Sequence, residues 1–155
     1  MEITTATTDD VDAVVDLWVE LARDQRAHGS HLLADENRTT VREATLQRVV
    51  AEDLLVARVD GAIVGFVMLT IERGRYEQRR VRGLVENIYV SPAYRRRGIG
   101  SALLGAAEAT LTEAGADVVA LEALAENDAA RQFYAAHGYT PHRVELEKPT
   151  ESDTL

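Results

Sequence analysis

The chain has 155 residues and a formal net charge of -9, with 46% apolar and 28% charged residues and no cysteine. That length supplies one ordinary hydrophobic core and falls short of two; the lack of cysteine excludes disulfides, a thiol nucleophile and a thiolate metal site, and the acidic balance argues against nucleic-acid binding. No apolar run reaches the roughly eighteen residues of a membrane span, and Met1 to Ala6 lack the basic start and apolar stretch of a signal peptide, so the expectation is a cytoplasmic protein with no membrane partner.

Glu2 to Ala6 alternates weakly as a first strand, and Thr7, Thr8, Asp9 and Asp10 then supply residues that cap a helix and suit its dipole. Val11, Val14, Val15, Trp18, Leu21 and Ala22 recur at three and four residues, the mark of one buried helical face, with Gly29 as the stop. Gly29 to Arg38 is polar and loop-like, and a second helix is expected from about Thr40 to Ala51 with Val41, Thr45 and Val49 inward. Leu54 to Val59 and Ala62 to Ile71 are apolar, β-branched runs joined by the tight-turn pair Asp60-Gly61, which predicts a hairpin. Charged residues from Glu72 to Arg82 lead into a further strand at Leu84 to Val90. Ser91-Pro92 breaks that strand, and a helix follows with Ile99, Leu103, Leu104, Ala107 and Leu111 inward. Val118 to Leu124 has a buried-strand pattern, Asn127-Asp128 caps a short helix that Gly138 closes, and Tyr139 to Leu146 reads as a last strand. This order describes an α+β domain over residues 1–148, built on a mixed, mostly antiparallel sheet, with 149–155 as a disordered tail.

Chemistry concentrates between the strand ending at Val90 and the helix that follows. There Arg95-Arg96-Arg97-Gly98-Ile99-Gly100-Ser101 forms a loop at a helix N-terminus, where free N–H groups and the positive end of the dipole face outward and two glycines admit a ligand to the backbone. A pyrophosphate fits this description. Three consecutive arginines add charge, and at least one of them is expected to be no more than a solvated basic residue. The loop has no lysine for a Walker motif and has Leu103 where a dinucleotide fingerprint needs its third glycine. A Gly-x-Ser-x-Gly hydrolase elbow is lacking. His28 and His31 have the spacing of two ligands on a helix but no evident acidic or sulfur partner, so no metal is expected.

On these residues the chain resembles the GNAT superfamily of acetyl-CoA-dependent N-acetyltransferases. Arg95 to Gly100 matches the family's Gln/Arg-x-x-Gly-x-Gly/Ala motif and follows the strand Val85-Glu86-Asn87-Ile88-Tyr89-Val90. Asn127, Ala130, Phe133-Tyr134 and Gly138-Tyr139 are similar to a second family block, and the hairpin at Asp60-Gly61 with Gly65-Phe66 is similar to the family's second and third strands. The resemblance implies a sheet flanked by helices and splayed between the strands at 85–90 and 118–124. It also implies acetyl-CoA as co-substrate, held by main-chain groups of Ile88, Tyr89 and Val90, by Arg95, Arg96, Arg97, Gly98, Ile99, Gly100 and Ser101 at the pyrophosphate, and by Asn127. Asn127 also has a sufficient reason to be there as a helix cap.

Acetyl transfer needs a neutral amine, stabilisation of an oxyanion and a proton for the departing thiolate. The resemblance implies that Tyr134 is the general acid near the sulfur, against the alternative of a core tyrosine on a helix face. Glu86 is placed to take the amine's proton, against the alternative of an ordinary strand glutamate facing solvent. Glu122 and Glu126 are further candidates for the border of the acceptor site. The implied acceptor is a primary amine of a small molecule, with a protein N-terminus or a lysine side chain as the alternative. A non-catalytic acyl-CoA-binding module and an interaction protein docking through Arg95 to Arg97 are the rival classes. Family members close with two strands, whereas little chain follows Leu146, so a seventh strand is expected to be absent, very short or supplied by a partner in a homodimer.

Overall fold

The computed structural model describes residues 1–151; of the expected tail, residues 152–155 lie outside the described residues. Nine elements position the site. They are β1 (Glu2–Thr5), α1 (Val11–Arg26), α2 (Arg38–Val50), β2 (Leu54–Val59), β3 (Ala62–Ile71), β4 (Arg82–Val90), α3 (Ile99–Glu113), β5 (Val118–Leu121) and α4 (Asp128–Ala136), with short 3-10 turns at Thr8–Asp10, Asp35–Asn37 and Pro92–Tyr94. The sheet runs β1-β2-β3-β4-β5; the first three pairings are antiparallel and β4 with β5 is parallel. This is the mixed, mostly antiparallel sheet flanked by helices that the element order implies.

The meander follows from local chemistry. Asp60 and Gly61 both take positive φ, 51° and 81°, the backbone of a two-residue hairpin turn whose twist suits the strands it joins. The polar turn before α1 is fixed from a distance. Thr7 N–H donates to Asp10 Oδ2 at 2.8 Å, and Arg58 on β2 donates to both carboxylate oxygens at 3.0 and 2.6 Å. Asp10 is buried, which opposes its ionisation, but the Arg58 fork and the Thr7 amide outweigh burial and hold its carboxyl below the usual range.

Each face of the sheet carries its own core. Val14, Val15, Trp18 and Ala22 of α1 and Val41 of α2 cover Val56, Phe66, Met68 and Tyr89 on one face. Leu103, Leu104, Ala107 and Leu111 of α3 cover Leu55, Val67, Leu69 and Val85 on the other, with Phe133 and Tyr134 of α4 packed at the margin. The apolar stripes read from the sequence are therefore the buried stripes. Among the described residues no helix is long and apolar enough to cross a membrane.

Three expectations need correction. The second helix begins at Arg38, after its own 3-10 turn, and not at Thr40. The strand expected over 118–124 ends at Leu121. The last strand expected at Tyr139 to Leu146 is not formed: the backbone there is irregular, with Val144 and Leu146 at 78% and 88% exposure. Alternating apolar residues make a strand only where a neighbour offers a ladder. This segment instead passes towards the α1–α2 connection, where Glu147 Oε1 lies 2.8 Å from His31 Nε2.

Candidate active site

The site begins with an irregularity in β4. Met68 pairs with Asn87 but Leu69 pairs with Val85, so Glu86 is the extra residue of a β-bulge. A bulge bends its strand and re-aims the side chains beside it. On the other side of β4, pairing with β5 ends at Val85 opposite Leu121. From Glu86 to Val90, β4 has therefore parted from β5, and Glu86 sits at the point where both ladders change. This is the splay implied by the resemblance, beginning at the lower end of the expected range.

Beyond Val90 the chain makes the Pro92–Tyr94 turn and enters α3 through two left-handed residues, Arg96 at φ 64° and Gly98 at φ 78°. Left-handed backbone at Gly98, the N-cap, turns the chain so that the first N–H groups of α3 point outward. Among the described residues, the main-chain N–H groups from Arg96 through Ser101 have no acceptor; the first to find one is Ala102, bonded to Gly98 O at 3.0 Å. A row of orphan donors at a helix N-terminus is an anion-binding arrangement.

The three arginines differ in placement. Arg95 folds back: its Nε donates to Val90 O at 3.0 Å and its guanidinium lies 5.2 Å from the Tyr89 ring centroid. Arg97 stacks on Tyr94 at 5.1 Å. Arg96 is exposed in the loop. The glycines differ too. A Cβ on Gly100 would stand in ordinary van der Waals contact with Phe133 at 3.5 Å, whereas one on Gly98 would meet nothing within 4 Å. Ser101, expected at the phosphate, has its hydroxyl 3.0 Å from His137 Nε2, while His137 Nδ1 donates to Phe133 O at 2.7 Å. His137 was not singled out by sequence, because only the fold brings the end of α4 to the start of α3.

Asn127 caps α4, its Oδ1 accepting from Ala130 N–H at 3.1 Å, which leaves the amide nitrogen for another partner. Tyr134 stands edge-on to Phe133 and Tyr139 at centroid separations of 5.4 and 6.1 Å. Burial pushes its phenol above the ordinary value of 10.0, so the hydroxyl keeps its proton throughout the neutral range. On β4, Ile88 and Val90 are half-buried, while Tyr89 is buried and donates to Asp24 Oδ2 at 3.2 Å; burial first and Asp24 second push its phenol up to about 12. The ring of Tyr89 is thus committed to the α1 side, and Tyr89 pairs with Phe66 of β3.

Glu86 meets a partner that sequence reading did not anticipate. Arg48 of α2 holds its Oε1 at 2.6 Å, and the pair borders a cavity of about 200 Å3 shared by α1, α2, β3 and β4. Of the other two carboxylates considered, Glu126 lies beside Gly29, within 3.4 Å of where a Cβ there would stand, and Glu122 is exposed at the end of β5.

These features together describe an open sheet whose fourth strand separates from the edge strand next to an anion-binding helix start. Residues 12–139 match the acetyltransferase (GNAT) family, and the chain belongs to that family. It is 37% identical over 95 residues to an N-alpha-acetyltransferase of Sulfurisphaera tokodaii, with 57% of each chain covered. It is 30% identical over 141 residues to an uncharacterized N-acetyltransferase of Archaeoglobus fulgidus, covering 88% of this chain and 90% of that one. Other curated relatives are longer, and the chain spans about half of their length, 49% of one and 43% of another. Its fold superposes on a GCN5-related N-acetyltransferase from Ralstonia eutropha with a TM-score of 0.77 and 26% identity, over 96% of this chain and 97% of that one.

Proposed function

We propose that the protein is an acetyl-CoA-dependent N-acetyltransferase that acylates a primary amine of a small molecule by direct attack in a ternary complex. The observation that carries this reading is the unbroken row of unpartnered N–H groups from Arg96 through Ser101, set beside the free end of β4. Such donors suit the pyrophosphate of CoA, and family membership supplies the class of ligand.

Acetyl-CoA supplies the activated acetyl thioester. The chain's own residues do the rest. The loop from Arg95 to Ser101 holds the phosphates, main-chain groups of Ile88, Tyr89 and Val90 and the amide of Asn127 hold the pantetheine arm, and the Val90 N–H polarises the carbonyl. The acceptor nitrogen bonds to the carbonyl carbon as the bond to sulfur breaks. Glu86 takes the amine's proton, directly or through water, and the Tyr134 hydroxyl delivers one to the sulfur. A phenol whose pKa is raised by burial stays neutral and keeps its proton at neutral pH, which suits an acid and not a base.

The reading includes a cytoplasmic homodimer without nucleic-acid, membrane or metal partners. Two exposed apolar residues, Val144 and Leu146, in the irregular segment after α4 support the dimer. A second acceptor, the α-amine of a protein N-terminus, is favoured by the name of the Sulfurisphaera relative. The test is thiol release from acetyl-CoA across a panel of amines and peptides, alongside melting curves with acetyl-CoA and desulfo-CoA. Amine-dependent thiol release with ligand-raised melting is the expected result. Binding without turnover would make the chain an acyl-CoA-binding module, and no binding would leave only a docking patch at Arg95 to Arg97.

A further inference from the structure

We propose that the acceptor is an amine that carries a carboxylate on the neighbouring carbon, an α-amino acid with an apolar side chain, and that Arg48 is the residue that selects it. This rests on the acetyl-transfer reading above. The cavity beside Glu86 has a volume of about 200 Å3, below the roughly 300 Å3 at which pockets for drug-sized ligands begin. Trp18, Val41, Ala44 and Met68 form an apolar wall, and Arg48 and Glu86 stand at its charged end.

That charged end is occupied by the protein's own ion pair. Arg48 Nη2 lies 2.6 Å from Glu86 Oε1, Arg48 Nη1 lies 3.8 Å from Asp53 Oδ2, and the side chains of Arg48 and Glu86 are only 27% and 34% exposed. A plain amine approaching Glu86 must draw the carboxylate from Arg48 and leave the half-buried guanidinium with the more distant Asp53 alone. Breaking one partner out of a partly desolvated pair carries part of the cost of breaking a buried one. A zwitterion avoids that cost, because its ammonium takes the place of Arg48 at Glu86 and its carboxylate takes the place of Glu86 at Arg48. The exchange conserves charge on both sides, and the planar guanidinium fork matches a carboxylate in shape. The amino acid's side chain then lies along the apolar wall, and its nitrogen rests on the carboxylate that removes its proton before attack. Glu86 occupies the bulge where β4 leaves β5, so this nitrogen is brought to the mouth of the splay.

The experiment measures kcat/KM for leucine, methionine and phenylalanine, each beside its amide and the amine that lacks the carboxyl group, with acetyl-CoA and the full chain. The free acids are expected to exceed both analogues by about tenfold to a hundredfold, the value of a hydrogen bond to a charged group. In Arg48→Met that ratio is expected to collapse by at least about tenfold, with the fold checked by circular dichroism and by melting with acetyl-CoA. If Arg48→Met does not fold, Arg48→Lys keeps the charge, loses the fork, and must still lower the ratio. An unchanged ratio in either folded variant overturns the role of Arg48. Amides or plain amines turned over as well as the acids overturn the substrate class and leave acetyl transfer standing, with preference for amides pointing to protein N-termini. Acetyl-CoA binding with no thiol release on any member of the panel overturns the substrate class and counts against acetyl transfer itself.

Discussion

Arg95 Nε donates to the main-chain oxygen of Val90 at 3.0 Å, tying the first residue of the glycine loop to the last residue of β4. The guanidinium also covers the Tyr89 ring and reaches Asp24 at 3.5 Å. Its side chain thus joins loop, strand and α1, a structural duty that the run of arginines does not reveal. Arg95→Ala is expected to lower unfolding free energy by about 1 kcal/mol, from one lost hydrogen bond and one cation–π contact. Urea denaturation checks this. A variant as stable as the parent would show that the contacts are incidental.

Gly98, the N-cap of α3, and Gly105 within the helix are expected to respond with opposite signs. Gly98→Val puts a β-branched residue at φ 78°, where strain is about 1–2 kcal/mol, and disturbs the row of N–H donors in which it stands. Acetyl-CoA affinity by calorimetry is expected to fall about tenfold or more. Gly105→Ala adds a Cβ that meets nothing within 4 Å on the exposed face and gains about 0.8 kcal/mol of helix propensity. Loss of affinity in both, or in neither, would disconnect the loop from ligand binding.

Local signals were legible in the sequence where one short stretch suffices to set the backbone. Asp60-Gly61 specified its own turn, and the stripe from Ile99 to Leu111 identified the buried face of α3. The loop at Gly98 could be placed for the same reason. Relationships between distant elements were not legible. Arg48 reads as one more helix arginine until β4 is laid beside α2, and neither Ser101 nor His137 indicates the other. The extended pattern at Tyr139 to Leu146 misled because alternation predicts a face, whereas a strand also requires a neighbour to pair with.

Acid stability is expected to depend on the Asp10–Arg58 fork. Because the folded pKa of Asp10 lies below the ordinary 3.8, its contribution is complete above 3.8 and is lost as pH falls through the folded value. Asp10→Asn is expected to cost about 2 kcal/mol near neutrality, the value of charge-assisted hydrogen bonds, and to flatten the loss of stability on the acid side. Equal acid sensitivity in parent and variant would place the titrating group elsewhere.

The exposed pair Val144 and Leu146 predicts a concentration-dependent dimer. Light scattering should show it in the parent, and Val144→Asp with Leu146→Asp should shift it to monomer without altering the far-ultraviolet spectrum. A parent that is monomeric at all working concentrations, in low and high salt, would contradict the proposed assembly.

Catalysis itself is tested most directly by Tyr134→Phe, which keeps the edge-on contacts to Phe133 and Tyr139 and removes only the hydroxyl. General-acid assistance is commonly worth about a hundredfold to ten-thousandfold, so amine-dependent thiol release should fall in kcat by at least about tenfold while KM for acetyl-CoA changes little. Full turnover in Tyr134→Phe on the best amine found would contradict the account, because the proton would then reach the sulfur without Tyr134.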